Sequence, residues 1–167
     1  MTHIILLTVI NWLHLFATAA WIGDMTTNLL VLLPSIREAL EPAVMGKLMG
    51  AVMKRFRIVT YISIVVLIVT GAAMTKFNAS YMGLAQFGNL WSIVALIKHI
   101  VIVVMIIIAI YAFEGLARKV MKVAVKGPSP DLAALQKKQI MLASIGYILG
   151  VIVLLLTGLI TAISATS

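Results

Sequence analysis

Four long apolar stretches, separated by more polar connections, divide the chain from one end to the other. They cover roughly residues 4–33, 58–75, 90–113 and 140–164. Each is close to the ~20 apolar residues that an α-helix needs to cross the hydrocarbon core of a bilayer. Barrel strands would be shorter and would alternate in polarity. The pattern therefore predicts an all-α protein, a single transmembrane four-helix domain over residues 1–167.

The connections predict how these helices are arranged. Short connections favour an up-down-up-down bundle, in which the first and third helices are parallel and diagonal. Pro34 predicts the end of the first helix. The Gly-Pro-Ser-Pro run at residues 127–130 predicts a break, and Asp131 predicts the start of the fourth helix.

The basic residues lie almost entirely in two of the connections. Five of them fall within residues 37–57 and six within residues 118–138, while neither terminus carries lysine or arginine. Loops rich in these residues stay on the cytoplasmic side, so both termini are predicted to face outward from the cytoplasmic (inner) membrane. The net charge of +8 is accordingly interpreted as orientation and contact with anionic lipid, not as nucleic-acid binding.

Composition supports a membrane protein and narrows its chemistry. Apolar residues make up 63% of the chain and charged residues 11%, against about a quarter charged in soluble domains. The lack of cysteine excludes disulfides, thiolate metal sites and iron–sulfur clusters. With no phosphate-binding glycine loop, Ser/His/Asp set or carboxylate pair, hydrolases and nucleotide-driven functions have no support. Whether the protein is an enzyme stays open, and an enzyme here would be an oxidoreductase.

One face of the first helix gathers most of its polar residues. Steps of three and four residues connect Asn11, His14, Thr18, Trp21, Met25 and Asn28. Polar groups are costly in lipid and normally face the bundle interior, so His14 is predicted to point inward. On its own, an interhelical hydrogen bond of about 0.6–1 kcal/mol would explain this histidine.

A second histidine changes the interpretation. His99 lies at nearly the same offset from the outer start of the third helix as His14 does in the first. Two facing imidazoles in a cysteine-free bundle suit axial ligation of a haem iron, with the ring between the helices. The sequence therefore predicts a haem between helices one and three, with His14 and His99 as ligands. Copper or zinc stays open, although two ligands are few for such a site.

The remaining candidates each allow two interpretations. His3 lies about 16 Å along the helix from His14, too far to share one iron, so it is either an interfacial residue or part of an amino-terminal Cu(II) site. Lys98 either pairs with a haem propionate or an anionic substrate, or extends to the outer headgroups. Asp24 either relays protons or marks the interface.

Methionines before the second helix suggest either an interfacial helix or copper binding. Met45, Met49 and Met53 recur every four residues, and this spacing predicts an amphipathic interfacial helix. Thioether sulfurs are also soft ligands for Cu(I).

The two halves of the chain show a weak internal repeat. Each half is a helical hairpin that begins with a histidine-bearing helix and ends with a helix containing a Thr-Gly pair, at residues 70–71 and 157–158. Such halves would be related by a pseudo-two-fold axis along the membrane normal. Chance similarity between apolar sequences explains the pattern about as well.

Three stretches resemble a known family. Residues 12–23, which run from Trp-Leu-His to Trp-Ile-Gly, resemble the first-helix motif of CopD-like copper-resistance membrane proteins and of the related HemJ-type protoporphyrinogen oxidases. Residues 55–71, Arg-Phe-Arg to Val-Thr-Gly, resemble their second-helix motif, and residues 91–98 resemble the lysine-bearing helix that follows.

The resemblance implies a b-type haem associated with His14 and Lys98, and adds the motif tryptophans Trp21 and Trp91 to the expected cofactor contacts. The chain departs from the family pattern by placing His99 next to this lysine. It also has Asp24 where the family has a second glycine, and four helices where copper-resistance members often have more.

Four hypotheses follow for function. The first is a membrane b-type haem protein that moves electrons between a quinol or another redox carrier and a partner complex. The second is copper handling across the membrane, and the third is protoporphyrinogen oxidation. The fourth is a small scaffold subunit of a larger membrane complex, which is compatible with haem binding. A homo-oligomer also stays open.

Overall fold

The computed structural model describes residues 1–77, 88–125 and 127–166 and folds them into four long helices, with no strand in these ranges. The helices are α1 (Thr2–Ala39), α2 (Pro42–Lys76), α3 (Leu90–Ala124) and α4 (Pro130–Thr166). Each contains a stretch long and apolar enough to cross a membrane. The predicted all-α, four-helix transmembrane fold is confirmed, and the protein is an integral membrane protein.

Neighbouring helices pack as two hairpins that lie side by side. α1 packs along α2, α3 packs along α4, and α1 also contacts α4, so α1 and α3 lie on a diagonal. The core is formed by Trp21 of α1, Ile64 of α2 and Met105 of α3, with Leu149 and Val153 of α4 packed against it. All four helices therefore contribute to one core.

Large apolar side chains also cover the outside of the bundle. Leu155 is 70% exposed, Ile107 61% and Ile62 59%. Apolar surface of this extent is unfavourable in water and marks contact with another apolar phase. Because every helix satisfies its backbone internally, this outer surface is suited to lipid.

Two π-helical segments interrupt the diagonal helices. They are Thr27–Leu32 in α1 and Tyr111–Leu116 in α3. The Leu33 N–H donates to the Asn28 carbonyl, five residues back. The predicted end at Pro34 lies inside α1, which continues to Ala39. Proline lacks an N–H and crowds the preceding turn of an α-helix, and the wider π turn before Pro34 accommodates it.

The π segments strengthen the evidence for the internal repeat. His14 lies thirteen positions before Thr27, and Lys98 lies thirteen positions before Tyr111. Both segments are six residues long, so α1 and α3 share an irregularity at the same point. In this register the counterpart of His14 is Lys98, and His99 is one residue further on.

The end of the bundle that carries residues 37–57 and 118–138 is called the basic end below. The connections at this end are shorter than predicted. α2 begins at Pro42, so the methionine-bearing segment is part of α2 and not a separate interfacial helix. Met45, Met49 and Met53 are half-buried along it, whereas Lys47 is exposed. The long helices thus extend beyond their most apolar stretches.

The predicted break before α4 is present. Gly127 has a φ of +94°, a conformation that favours glycine. Ser129 Oγ then accepts a hydrogen bond from the Leu132 N–H at 3.2 Å, and α4 begins at Pro130, next to the predicted Asp131. Lys126 lies outside the described residues.

Candidate functional site

The His14 side chain points from α1 towards α2, inside the bundle, as the polar face of the first helix predicts. It is half-buried, and its Nδ1 lies 2.8 Å from Thr70 Oγ1. Gly71, the next residue of α2, packs against the ring: a Cβ placed there would lie 3.4 Å from His14 Cε1. The Thr-Gly pair of α2 therefore supports one edge of the imidazole through a hydrogen bond and a close backbone approach.

The hydrogen bonds around Thr70 define which nitrogen of His14 carries the proton. The Thr70 hydroxyl, with its single hydrogen, donates to the Val66 carbonyl at 2.6 Å. Its oxygen then accepts from His14, so Nδ1 is the protonated nitrogen. In the neutral imidazole this leaves a lone pair on Nε2. Metal-ligating histidines commonly have this arrangement, in which the other ring nitrogen donates to a fixed acceptor.

Lys98 is the residue of α3 whose position corresponds to that of His14 in α1. Its side chain is half-buried. The two residues occupy equivalent positions before the two π segments. A lysine within the apolar part of a bundle is costly unless it is paired or reaches water, so this position is suited to an anionic group near His14.

His99 has a different environment. Its side chain is exposed, and its Nδ1 lies 2.6 Å from the Ala95 carbonyl, one turn back on the same helix. Since a carbonyl only accepts, Nδ1 carries the hydrogen and Nε2 again keeps its lone pair. Among the described contacts, His14 is joined to Thr70 and Gly71, and none joins it to His99.

The other predicted site residues lie apart from this group. His3 is exposed and packs edge-on against Phe77, with 5.6 Å between ring centroids. Trp21 is in the core and Trp91 is buried near the start of α3. The indole Nε1 atoms of both tryptophans are buried and have no hydrogen-bond partner among the described residues. A buried donor without an acceptor costs about 1–3 kcal/mol, so each could donate to a bound group.

A second polar group lies nearer the basic end. Asp24 Oδ2 accepts from Thr60 Oγ1 at 3.3 Å. Asp24 Oδ1 and Asn28 Oδ1 are buried, and nothing in the described part of the chain donates to them. The sequence singled out Asp24 but missed Thr60, whose role becomes evident only from the antiparallel register of α1 and α2.

An ion-pair cluster fastens α2 to α3 where the second π segment lies. Glu114 Oε1 lies 3.4 Å from Arg57 Nη1 and accepts from the Tyr61 hydroxyl at 3.0 Å. Arg118 pairs with the other carboxylate oxygen. The sequence pattern identifies these arginines only as orienting charges, since nothing in it pairs residues of distant helices.

A conventional metal centre is not formed by the described residues: no three of their His, Asp or Glu side chains lie close enough to share an ion. Haem iron has a lower requirement, because the macrocycle supplies four ligands and the protein one or two. The free Nε2 of His14, its hydrogen-bonded Nδ1 and the cation of Lys98 fit that requirement.

Comparison of the chain with models of protein families, with curated proteins and with solved structures gives no match in any of the three. The resemblance of residues 12–23, 55–71 and 91–98 to CopD-like and HemJ-type proteins therefore stays a prediction from short motifs.

Proposed function

We propose that the protein is a b-type haem protein of the cytoplasmic membrane and acts in electron transfer, with His14 Nε2 as an axial ligand. The observation that carries the proposal is the pairing of His14 with Thr70, at 2.8 Å. It keeps a hydrogen on Nδ1 and a lone pair on Nε2, and it fixes the ring within the bundle. A bound haem would supply a one-electron redox centre, while the protein supplies position and electrostatics.

We assign Lys98, and not His99, as the residue of α3 that faces the haem. Lys98 is half-buried and lies at the position of α3 that corresponds to His14 in α1, whereas the His99 side chain is exposed. An ammonium group at this position would pair with a haem propionate. This assignment departs from the two-histidine prediction and agrees with what the family resemblance implies.

The proposed setting follows from the charge distribution and the outer surface. The basic connections would face the cytoplasm, which places both termini outside. The electron donor or acceptor would be a quinol or another redox carrier, and the protein would act as a homo-oligomer or as a subunit of a larger membrane complex. Its exposed apolar helices suit any of these partners within the bilayer.

The test is the haem content of the purified full-length protein and its variants. His14→Ala is expected to lose the haem. Lys98→Ala is expected to retain the axial ligand but lower the occupancy, and His99→Ala to bind as the wild type does. His3→Ala is the matched control, since it removes an exposed histidine at the end of α1.

Three results would contradict this assignment. Loss of haem in His99→Ala but not in Lys98→Ala would restore the two-histidine site. Copper bound near stoichiometry, with no haem, would favour copper handling. Oxidation of protoporphyrinogen by the purified protein would favour the oxidase.

A further inference from the structure

Two adjoining grooves open between α1 and α4 at the basic end. The first has a volume of about 360 Å³ and is mainly apolar, with Leu30, Leu33 and Ile148 in its wall. The second, of about 400 Å³, is lined in part by Arg37 and Lys137. Arg37 and Ile140 belong to both, so the apolar groove adjoins a groove that carries two basic side chains.

The internal repeat explains why this groove is open. The equivalent place between α2 and α3 is bridged by Glu114, the fourth residue of its π segment, which pairs with Arg57 and Arg118. The fourth residue of the other π segment is Leu30. One half of the protein thus closes its helix junction with a carboxylate, and the other half has an apolar side chain instead.

The residue that faces this position from the neighbouring helix also differs between the two halves, being charged in one half and uncharged in the other. Arg57 lies thirteen positions before Thr70 in α2, and Ser144 lies thirteen positions before Thr157 in α4. Ser144 lines the apolar groove. Where one junction has an arginine and a glutamate, the other has a serine and a leucine. The space occupied by the ion pair on one side is therefore open on the other.

The charges at the groove have no counter-ion within the described residues. Both ion pairs among the described residues involve Glu114, and neither includes Arg37 or Lys137. Arg37 and Lys137 are exposed, and Arg37 also borders the apolar groove. Arginine binds phosphate oxygens through two parallel hydrogen bonds, and basic side chains beside a bilayer attract anionic headgroups.

We propose that this groove binds one anionic phospholipid, with its phosphate on Arg37 and Lys137 and an acyl chain along Leu30, Leu33 and Ile148. The lipid takes the place that Glu114 and Arg57 fill in the other half of the bundle, so that α1 and α4 are joined through a bound molecule. Leu30 is 60% exposed and Ile148 57%, and the acyl chain would cover both.

The test is lipid binding to the delipidated full-length protein in detergent, measured by native mass spectrometry. Dioleoyl phosphatidylglycerol and dioleoyl phosphatidylcholine are the probes, since they share acyl chains and differ in charge. The double variant Arg37→Gln/Lys137→Gln is expected to bind phosphatidylglycerol roughly tenfold or more weakly than the wild type. Lys54→Gln/Lys122→Gln removes the same charge from exposed sites outside the groove and is expected to change binding less than about twofold.

A second variant tests the groove without changing its charge. Ser144→Phe places a ring in the apolar part and is expected to weaken phosphatidylglycerol binding while leaving the bundle helical by circular dichroism. Equal binding of the two lipids, or an equal loss in the Lys54/Lys122 control, would overturn the proposal. Competition by free inorganic phosphate at the same sites, with no dependence on Ser144, would overturn it in favour of a small-anion site.

Discussion

Thr70→Val removes the hydroxyl that fixes His14 and preserves the shape of the side chain. Thr70 is buried, with 5% of its surface exposed, and its oxygen lies 2.8 Å from His14 Nδ1. The variant leaves Nδ1–H without this acceptor. Interhelical hydrogen bonds in membranes contribute about 0.6 kcal/mol on average and at most about 1.7 kcal/mol. We expect a loss of about 1 kcal/mol in the free energy of unfolding, or roughly fivefold in the equilibrium constant.

The chain offers a matched control at the equivalent position of α4. Thr157 Oγ1 donates to the Val153 carbonyl at 2.7 Å, just as Thr70 Oγ1 donates to Val66. The described structure shows no histidine bonded to Thr157. Thr157→Val therefore removes the same bond to the helix backbone and is expected to cost at most a few tenths of a kcal/mol.

The assay is equilibrium unfolding in mixed micelles, extended to a double-mutant cycle between His14→Ala and Thr70→Val. The cycle isolates the energy of the pair from the effects of each substitution. A coupling energy of about 1 kcal/mol is expected. The same pair of threonine variants should differ in haem affinity by about 10- to 100-fold, the usual effect of a residue that orients a ligand. Equal losses in Thr70→Val and Thr157→Val, with no coupling, would refute the assignment of the His14 hydrogen.

Three further tests address the surrounding structure. Gly71→Leu is expected to displace His14 and reduce the haem content per protein. Gly71→Ala is expected to be tolerated in the same measurement, because a Cβ there would lie 3.4 Å from His14 Cε1, in ordinary van der Waals contact. Gly150→Leu should lower the free energy of unfolding by about 1–3 kcal/mol, since even a Cβ there would lie 2.6 Å from an α1 side chain. Gly158→Leu is the control and should be nearly neutral in the same assay, because a Cβ there meets nothing within 4 Å. Glu114→Gln should lower stability only slightly because its ion pairs are partly exposed, and raising the salt concentration should reduce the difference from the wild type.

The fold was predictable because the hydrophobic requirement of a bilayer is severe. Each apolar stretch of about 20 residues admits essentially one structure, a spanning helix. The helix ends were harder to predict, because beyond the hydrocarbon core polar and apolar residues are both tolerated. Pro34 illustrates this. An ordinary α-helix is expected to end near a proline, but the π segment Thr27–Leu32 accommodates it and the helix continues.

The inward position of His14 was predictable from the polar face of α1, whereas its partner was not. Pairing with Thr70 depends on the register between α1 and α2, which in turn depends on how many residues the connection uses. The apolar pattern places the connection between residues 33 and 58, whereas the structure has helix almost throughout this region.

The choice between Lys98 and His99 could not be made from sequence for a different reason. Adjacent residues on a helix point about 100° apart, so the helix phase decides which one faces the core. The surrounding segment is apolar on every side, and a helix that is hydrophobic all round carries no phase information. The π segments supply that information, since they align α3 with α1 and bring Lys98 to the position of His14.

The most direct test of the central claim is the optical spectrum of the purified full-length protein, oxidised and then reduced, beside that of His14→Ala. The account predicts a Soret band and sharpened visible bands on reduction in the wild type, with both lost in the variant. A wild-type protein without a Soret band, or a His14→Ala protein with an unchanged spectrum, would contradict it.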